Sequence, residues 1–102
     1  MVYPAEVKVA WDEAKNLANR RKHGLSFEEA EELFASGADY LEIFDEAHSE
    51  SEDRFIAIGP VARGLIVIVW SASDDDTHRI ISARQASERE QVLYHSYMDK
   101  SR

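Results

Sequence analysis

Apolar and polar residues alternate with two different periods along this chain, and the change from one to the other divides it in two. Residues 7–11 alternate apolar positions with Lys8 and predict a short first strand. Asp12, whose carboxylate can accept from the free N–H groups of a first turn, predicts a helix running to about His23. Gly24 can take the left-handed C-terminal position that Cβ-bearing residues resist. Ser26 with Glu29 has capping-box spacing for a second helix through about Ala35. In that helix Phe27, Ala30, Leu33 and Phe34 form a stripe for burial, with Glu28, Glu29, Glu31 and Glu32 toward water. In the first helix Ala14, Leu17 and Ala18 are the expected apolar side, and Lys15, Asn19 and Lys22 the opposite one.

Ser36, Gly37 and Ala38 break the helical pattern, and from Asp39 onward the period is two or the runs are continuously apolar. Strands are expected over residues 40–44, 54–58, 65–71 and 78–83. An acidic loop around His48, a turn through Pro60 to Gly64, and a turn at Asp74, Asp75 and Asp76 would link them. Such short connections imply antiparallel neighbours. The run from Leu65 to Trp70 has no polar alternation, which predicts a central strand buried on both faces. Ser87 and Glu90 repeat the capping-box spacing, and Ala86, Leu93 and Tyr97 share a helical face, so an amphipathic helix should close the pattern. The expected class is α+β: an N-terminal strand and helical hairpin, a mostly antiparallel sheet, and a C-terminal helix. One sheet face would be covered and the other left available for a site.

Composition narrows the function classes. The chain has 102 residues, 44% of them hydrophobic, which predicts a single domain spanning residues 1–102 that can fold alone. There is no cysteine, so thiolate metal sites, disulfides and cysteine nucleophiles are excluded. The longest apolar run is the six residues from Leu65 to Trp70, against ~20 for a membrane-spanning helix. No secretory pattern opens the sequence, and a cytoplasmic location is expected. The net charge of -8 is unevenly distributed: residues 28–53 hold eleven acids and no Lys or Arg, while the other 76 residues hold twelve cations against nine acids, a balance of +3. A basic site can therefore sit behind an acidic flank, or the flank can face a basic partner.

Several residues could carry chemistry. Lys15 and Lys22 on the first helix can bind phosphates, although Arg20, Arg21, Lys22 and His23 also suit the last turn of any helix, where cations complement the dipole. Imidazole titrates closest to neutrality of all side chains, which makes His23, beside a tight turn, a candidate acid or base. Arg54, Arg79 and Arg84 lie on or at the ends of expected strands, and guanidinium groups on a sheet face bind phosphate bidentately. Arg54 could instead pair with Glu52 or Asp53. Strict alternation puts Arg79 and Arg84 on opposite faces unless a bulge re-aims one. His48 with Glu50 and Glu52 could act as acid or base or hold a metal, but no second histidine stands at ligand spacing, so no metal site is expected and simple solvation of the loop is the favoured reading. Trp11, Trp70 and the tyrosines are expected to be core rather than stacking platforms.

The residues then fall into a familiar order. Trp11-Asp12-Glu13-Ala14-Lys15, Asn19, Lys22-His23-Gly24 and Phe27-Glu28-Glu29-Ala30 are followed by Asp45, His48-Ser49, Glu52, Arg54 and Ala57-Ile58-Gly59. Arg79-Ile80-Ile81-Ser82-Ala83-Arg84, Ala86, Glu90 and Tyr94 complete the series. Over roughly residues 9–95 this resembles the BrnT family. The resemblance implies a RelE-like fold and a ribonuclease toxin of a type II toxin-antitoxin pair, which cuts RNA to inhibit translation. It implies a BrnA-like ribbon-helix-helix antitoxin as partner, with promoter DNA bound only through that antitoxin. The residues after Ser87 carry fewer cations than is usual for that family.

RNA cleavage without a metal or other cofactor needs a base for the 2′-hydroxyl, cations around the phosphorane and an acid for the leaving 5′-oxygen. The candidates are His23 for proton transfer, Arg54, Arg79, Arg84 and Lys22 for phosphate and transition-state charge, and Glu52 as an orienting carboxylate or alternative base. A competing reading is an inactive binding module that docks a basic DNA-binding partner through the acidic segment. A third is an unrelated α+β ligand-binding domain.

Overall fold

A computed structural model describes residues 8–72 and 76–100. Strand β1 (Lys8–Ala10) leads into helices α1 (Glu13–His23) and α2 (Phe27–Ala35). Then come β2 (Leu41–Phe44), a 3₁₀ turn (Glu46–His48), β3 (Arg54–Val61), β4 (Gly64–Ala72), β5 (Thr77–Gln85) and α3 (Glu88–Lys100). Val7, expected in the first strand, and Asp74 and Asp75, expected in a turn, lie outside the described residues.

Helix ends follow the local chemistry. The Asp12 carboxylate accepts from the Ala14 N–H at 2.8 Å, and Gly24 ends α1 at φ 70°. Ser26 and Glu29 form the reciprocal capping box at 3.0 and 2.9 Å. Ser87 and Glu90 make the same pair of bonds at the start of α3.

The sheet order is β1-β5-β4-β3-β2, antiparallel except for β1, which runs parallel to β5. The strands joined by short connections, β2 to β5, are antiparallel as expected, and the one parallel pair joins β1 to β5, segments far apart in the chain. β3 runs on to Val61, so the β3–β4 turn is tighter than the Pro60 to Gly64 segment expected, with Gly64 at φ 110° allowing the reversal. β4 is central, and Ile66, Val67, Ile68 and Trp70 are all buried.

Helices α1 and α2 cover one face of the sheet. There Leu25, Phe27, Ala30 and Leu33 pack on Ala57, Ile66, Ile68, Trp70, Ile80 and Ala83. α2 lies close against β3 at Gly59, where a Cβ would come within 2.7 Å of Tyr40 and 2.6 Å of Leu33. α3 covers only part of the other face, over a smaller cluster of Leu41, Ile58, Val67 and Ala86 joined by Tyr94.

Two helix faces differ from expectation. In α1 the polar residues Asn16 and Asn19 are buried, while Leu17 is 45% exposed. β1 is only three residues long, which leaves the outer edge of β5 unpaired beyond Arg79. The Asn19 amide takes the place of the missing strand, donating to the Ala83 carbonyl at 2.8 Å and accepting from the Ala83 N–H at 3.1 Å, and it also donates to the Leu25 carbonyl at 2.8 Å. Asn16 accepts from the Phe27 N–H at 2.8 Å, one of the free donors at the start of α2. Hydrogen-bonding demand, not apolar area, has set the rotation of α1. In α3, Leu93 and Tyr97 stand about half exposed, and the row of Glu90, Tyr94 and Met98 is the less accessible one.

Candidate active site

An extra residue in β5 decides which side chains share a face. Opposite β4, Val69 pairs with Ser82 but Trp70 pairs with Ile80, so Ile81 is accommodated by a bulge. Ile80 and Ala83 both enter the core beneath α1 and α2, and their neighbours Arg79 and Arg84 both fall on the opposite face. Without the bulge one arginine would point into that core.

The register then aligns Arg54 of β3, Ser71 of β4 and Arg79 of β5 in one row across the sheet. Strand spacing places the two arginine Cα atoms about 10 Å apart, with Ser71, 2% exposed, between them. This row lies at the end of the sheet face away from the cluster under α3. Neither Arg54 nor Arg79 is ion-paired with a carboxylate among the described residues. The Arg54 Nε is buried without a hydrogen-bond partner there. The pairing of Arg54 with Glu52 or Asp53 that the sequence allowed is not formed.

An aromatic ladder backs the row on the core side. Phe55, Trp70 and His78, each next in sequence to one member of the row, stack in order. Phe55 and Trp70 lie 4.6 Å apart, and Trp70 and His78 3.8 Å apart with an interplanar angle of 5°. Cross-strand ring contacts of this kind hold register, and here they hold the three strands whose outer face carries Arg54, Ser71 and Arg79. Burial pushes the His78 imidazole below its ordinary pKa, and its Nδ1 has no partner among the described residues. Trp70 is core, as expected.

Beside Arg54 the acidic loop is tied down. The Asp45 N–H donates to the Arg54 carbonyl at 2.8 Å. The Ser49 hydroxyl donates to the Asp45 carbonyl at 2.6 Å and accepts from the Arg54 N–H at 3.0 Å. This brings His48, Glu50 and Ser51 to the wall of a hollow of about 290 Å³ that Arg54 also lines. The His48 Nδ1 lies 3.0 Å from the Asp45 carboxylate, which orients the ring and leaves Nε2 for another partner. Asp45 enters the sequence reading only through the family resemblance, with no role of its own, and Ser71 does not enter it. The three-residue spacing of Asp45 and His48 was a usable signal, whereas nothing local marks Ser71. Among the described residues no three His, Asp or Glu side chains gather in a way that could hold a metal ion.

The remaining candidates lie elsewhere or are engaged. Arg84 shares the face of Arg79 but is held by Glu90 through two bonds of 2.7 Å, which pins α3 to β5. This contact holds the Glu90 carboxyl down at about 2, first through the bonds from Arg84. A carboxyl lowered on folding stabilises the protein above its ordinary value of 4.5, and that contribution is lost as pH falls from 4.5 toward 2. Glu90→Gln should therefore lower stability by about 1–2 kcal/mol at pH 7, a figure discounted for the partly exposed Arg84, and denaturant titrations should show the gap closing toward pH 2. His23 is half-buried at the end of α1, on the side of the sheet away from the arginine row. The adjacent Gly24 carbonyl accepts from Arg63 of the β3–β4 turn. His23 and Lys22 thus sit at the opposite end of β3 from Arg54, about 23 Å away along the strand. Lys15 is exposed on α1, and Glu52 is exposed in the loop before β3. The structure brings Arg54 and Arg79 together but not His23, Lys22 or Lys15 with them.

A model of the BrnT family, described as the ribonuclease toxin of a type II toxin-antitoxin system, matches residues 11–90. The chain belongs to the BrnT family. A 1.1 Å crystal structure of the Brucella abortus ribonuclease toxin BrnT superposes with a TM-score of 0.59 at 28% identity, covering 80% of this chain and 99% of that one. No curated protein sequence matches the chain. For a BrnT toxin the partners are an RNA substrate and an antitoxin, and no helix among the described residues is long and apolar enough to cross a membrane.

Proposed function

We propose that this BrnT protein is a cytoplasmic endoribonuclease that cuts RNA without a metal ion at the Arg54–Ser71–Arg79 row. The observation that carries this reading is two guanidinium groups on one sheet face, about 10 Å apart at Cα and free of carboxylate partners among the described residues. That is a cradle for one phosphodiester. Arg54 and Arg79 hold its non-bridging oxygens and stabilise the charge that grows on the phosphorane. The 2′-oxygen attacks phosphorus and the bond to the 5′-oxygen breaks, leaving a 2′,3′-cyclic phosphate and a 5′-hydroxyl. His48 Nε2, oriented by Asp45, takes the 2′-hydroxyl proton, and a proton returned from the imidazolium neutralises the leaving oxygen. Glu52, in the same loop, is the alternative base. His23 is too far away for this role. Arg84 serves by anchoring α3, while Lys15 and Lys22 hold RNA phosphates away from the cut.

The neutralising partner is a BrnA-like ribbon-helix-helix antitoxin, and DNA is bound only through it. The acidic surface of residues 28–53 is the natural place for a basic partner to approach. The deciding experiment incubates the purified, nuclease-free protein with total RNA, with and without a chelator. Equal cleavage in both, ended by stoichiometric antitoxin, is expected. Cleavage that disappears with the chelator would remove the metal-free mechanism, and a protein that binds antitoxin but never cleaves RNA would be the inactive docking module instead.

A further inference from the structure

At the far end of the sheet a second cationic surface exists that the cleavage site does not use. Leu17, Arg20, Arg21 and Gly24 of α1 and its cap, Glu29 of α2 and Arg63 of the β3–β4 turn line a hollow of about 500 Å³. Arg63 reaches Glu29 at 2.9 Å and the Gly24 carbonyl at 3.1 Å. That pair cancels, leaving Arg20 and Arg21, both exposed and without an ion-pair partner among the described residues. The nearby carboxylate of Glu28 accepts from the Asn16 amide at 2.8 Å.

We infer that Arg20 and Arg21 form a second anion site, which grips the RNA backbone several nucleotides from the bond being cut. The helix dipole favours cations in the last turn of α1, and Arg63 is placed by Glu29 and the Gly24 carbonyl; Arg20 and Arg21 remain exposed and unpaired among the described residues at the edge of this hollow. The cations are also not confined to the hollow. Lys15 and Lys22 are exposed on the same helix, where the only acid is Glu13, so the surface is a strip rather than a point. A strip of this kind suits a polymer with a regularly repeated negative charge better than a single acidic side chain of a protein. On a chain of net charge -8 it also gives a polyanion one of few places to settle. The Arg63 end of this surface lies about 23 Å from Arg54 along β3, so an RNA must be several nucleotides long to touch both sites.

This inference rests on the ribonuclease reading, and two measurements separate them. In the first, wild type and an Arg20→Ser/Arg21→Ser double variant cleave a 20-nucleotide RNA and a dinucleotide. KM for the long RNA should rise about tenfold with kcat unchanged, the dinucleotide should be cut equally by both, and an Arg20→Lys/Arg21→Lys variant should restore most of the long-RNA affinity. In the second, binding of a 2′-deoxy 20-mer, which cannot be cut by this chemistry, is followed against salt. The slope of log affinity on log salt should flatten by about 1.4, or about 0.7 for each phosphate contact removed. Unchanged slope and KM, with or without a lower melting temperature, would overturn the second site. Loss of antitoxin binding with unchanged RNA parameters would overturn it equally. A wild type that binds the 20-mer through these arginines yet cuts no RNA would remove the nuclease reading and leave the second site standing.

Discussion

Arg79→Ala should reduce the rate of RNA cleavage about a hundredfold to a thousandfold, and the melting temperature should not fall with it. Removing one preorganised donor from a developing oxyanion typically costs that much, because its stabilisation exists only in the transition state. Arg79 is exposed and makes no ion pair among the described residues, so its loss leaves no buried partner behind. Arg54→Ala should cut activity as deeply, but with some loss of stability, since that side chain is half-buried. Arg84→Ala should reverse the pattern, with stability falling through the loss of the Glu90 contact and activity changing less per folded molecule. The three variants are compared by single-turnover cleavage of one RNA, corrected for the folded fraction measured by circular dichroism. Equal activity in Arg79→Ala and wild type would dismantle the proposed cradle.

Asn19→Leu should destabilise the protein by about 3–4 kcal/mol although leucine is the more apolar residue. The substitution removes three hydrogen bonds at once and strands the Ala83 N–H, the Ala83 carbonyl and the Leu25 carbonyl at a site where Asn19 is 7% exposed. Each buried, unsatisfied backbone group costs about 1–3 kcal/mol, which outweighs about 2 kcal/mol gained from an apolar side chain. For a chain of this size the melting temperature should drop by at least about 12 °C. Thermal unfolding followed at 222 nm measures it. Leu17→Asn, two residues earlier on the exposed side, should change it by no more than a few degrees.

Much of the fold is legible in local patterns. The Asp12, Ser26 and Ser87 caps and the stop at Gly24 place helix ends within a residue or two, because a cap is satisfied by groups within four positions of it. The unbroken apolar run from Leu65 to Trp70 reads correctly as the central strand, since only burial on both faces explains it. The reading of α1 fails for a definite reason. Hydrophobic spacing ranks Ala14, Leu17 and Ala18 above asparagine, but the helix packs beside a strand edge that needs polar partners, and hydrogen bonds outrank three modest apolar side chains there. In α3, Tyr94 rather than Leu93 meets the sheet, because Arg84 draws Glu90 and its row inward.

The candidate site divides in the same way. Residue chemistry alone marks Arg54, Arg79 and Arg84 as phosphate binders and His48 as a possible acid or base, and motif order marks the BrnT family. Only the folded chain separates the arginines, sending Arg84 to Glu90 and leaving Arg54 and Arg79 on either side of Ser71. Side-chain type, capping and periodicity are properties of a few neighbouring residues, so the amino-acid order determines them directly. Which groups meet across the sheet depends on strand register, where one inserted residue at Ile81 exchanges inside for outside. That choice is made by the packing of distant segments, and no stretch of this sequence contains it.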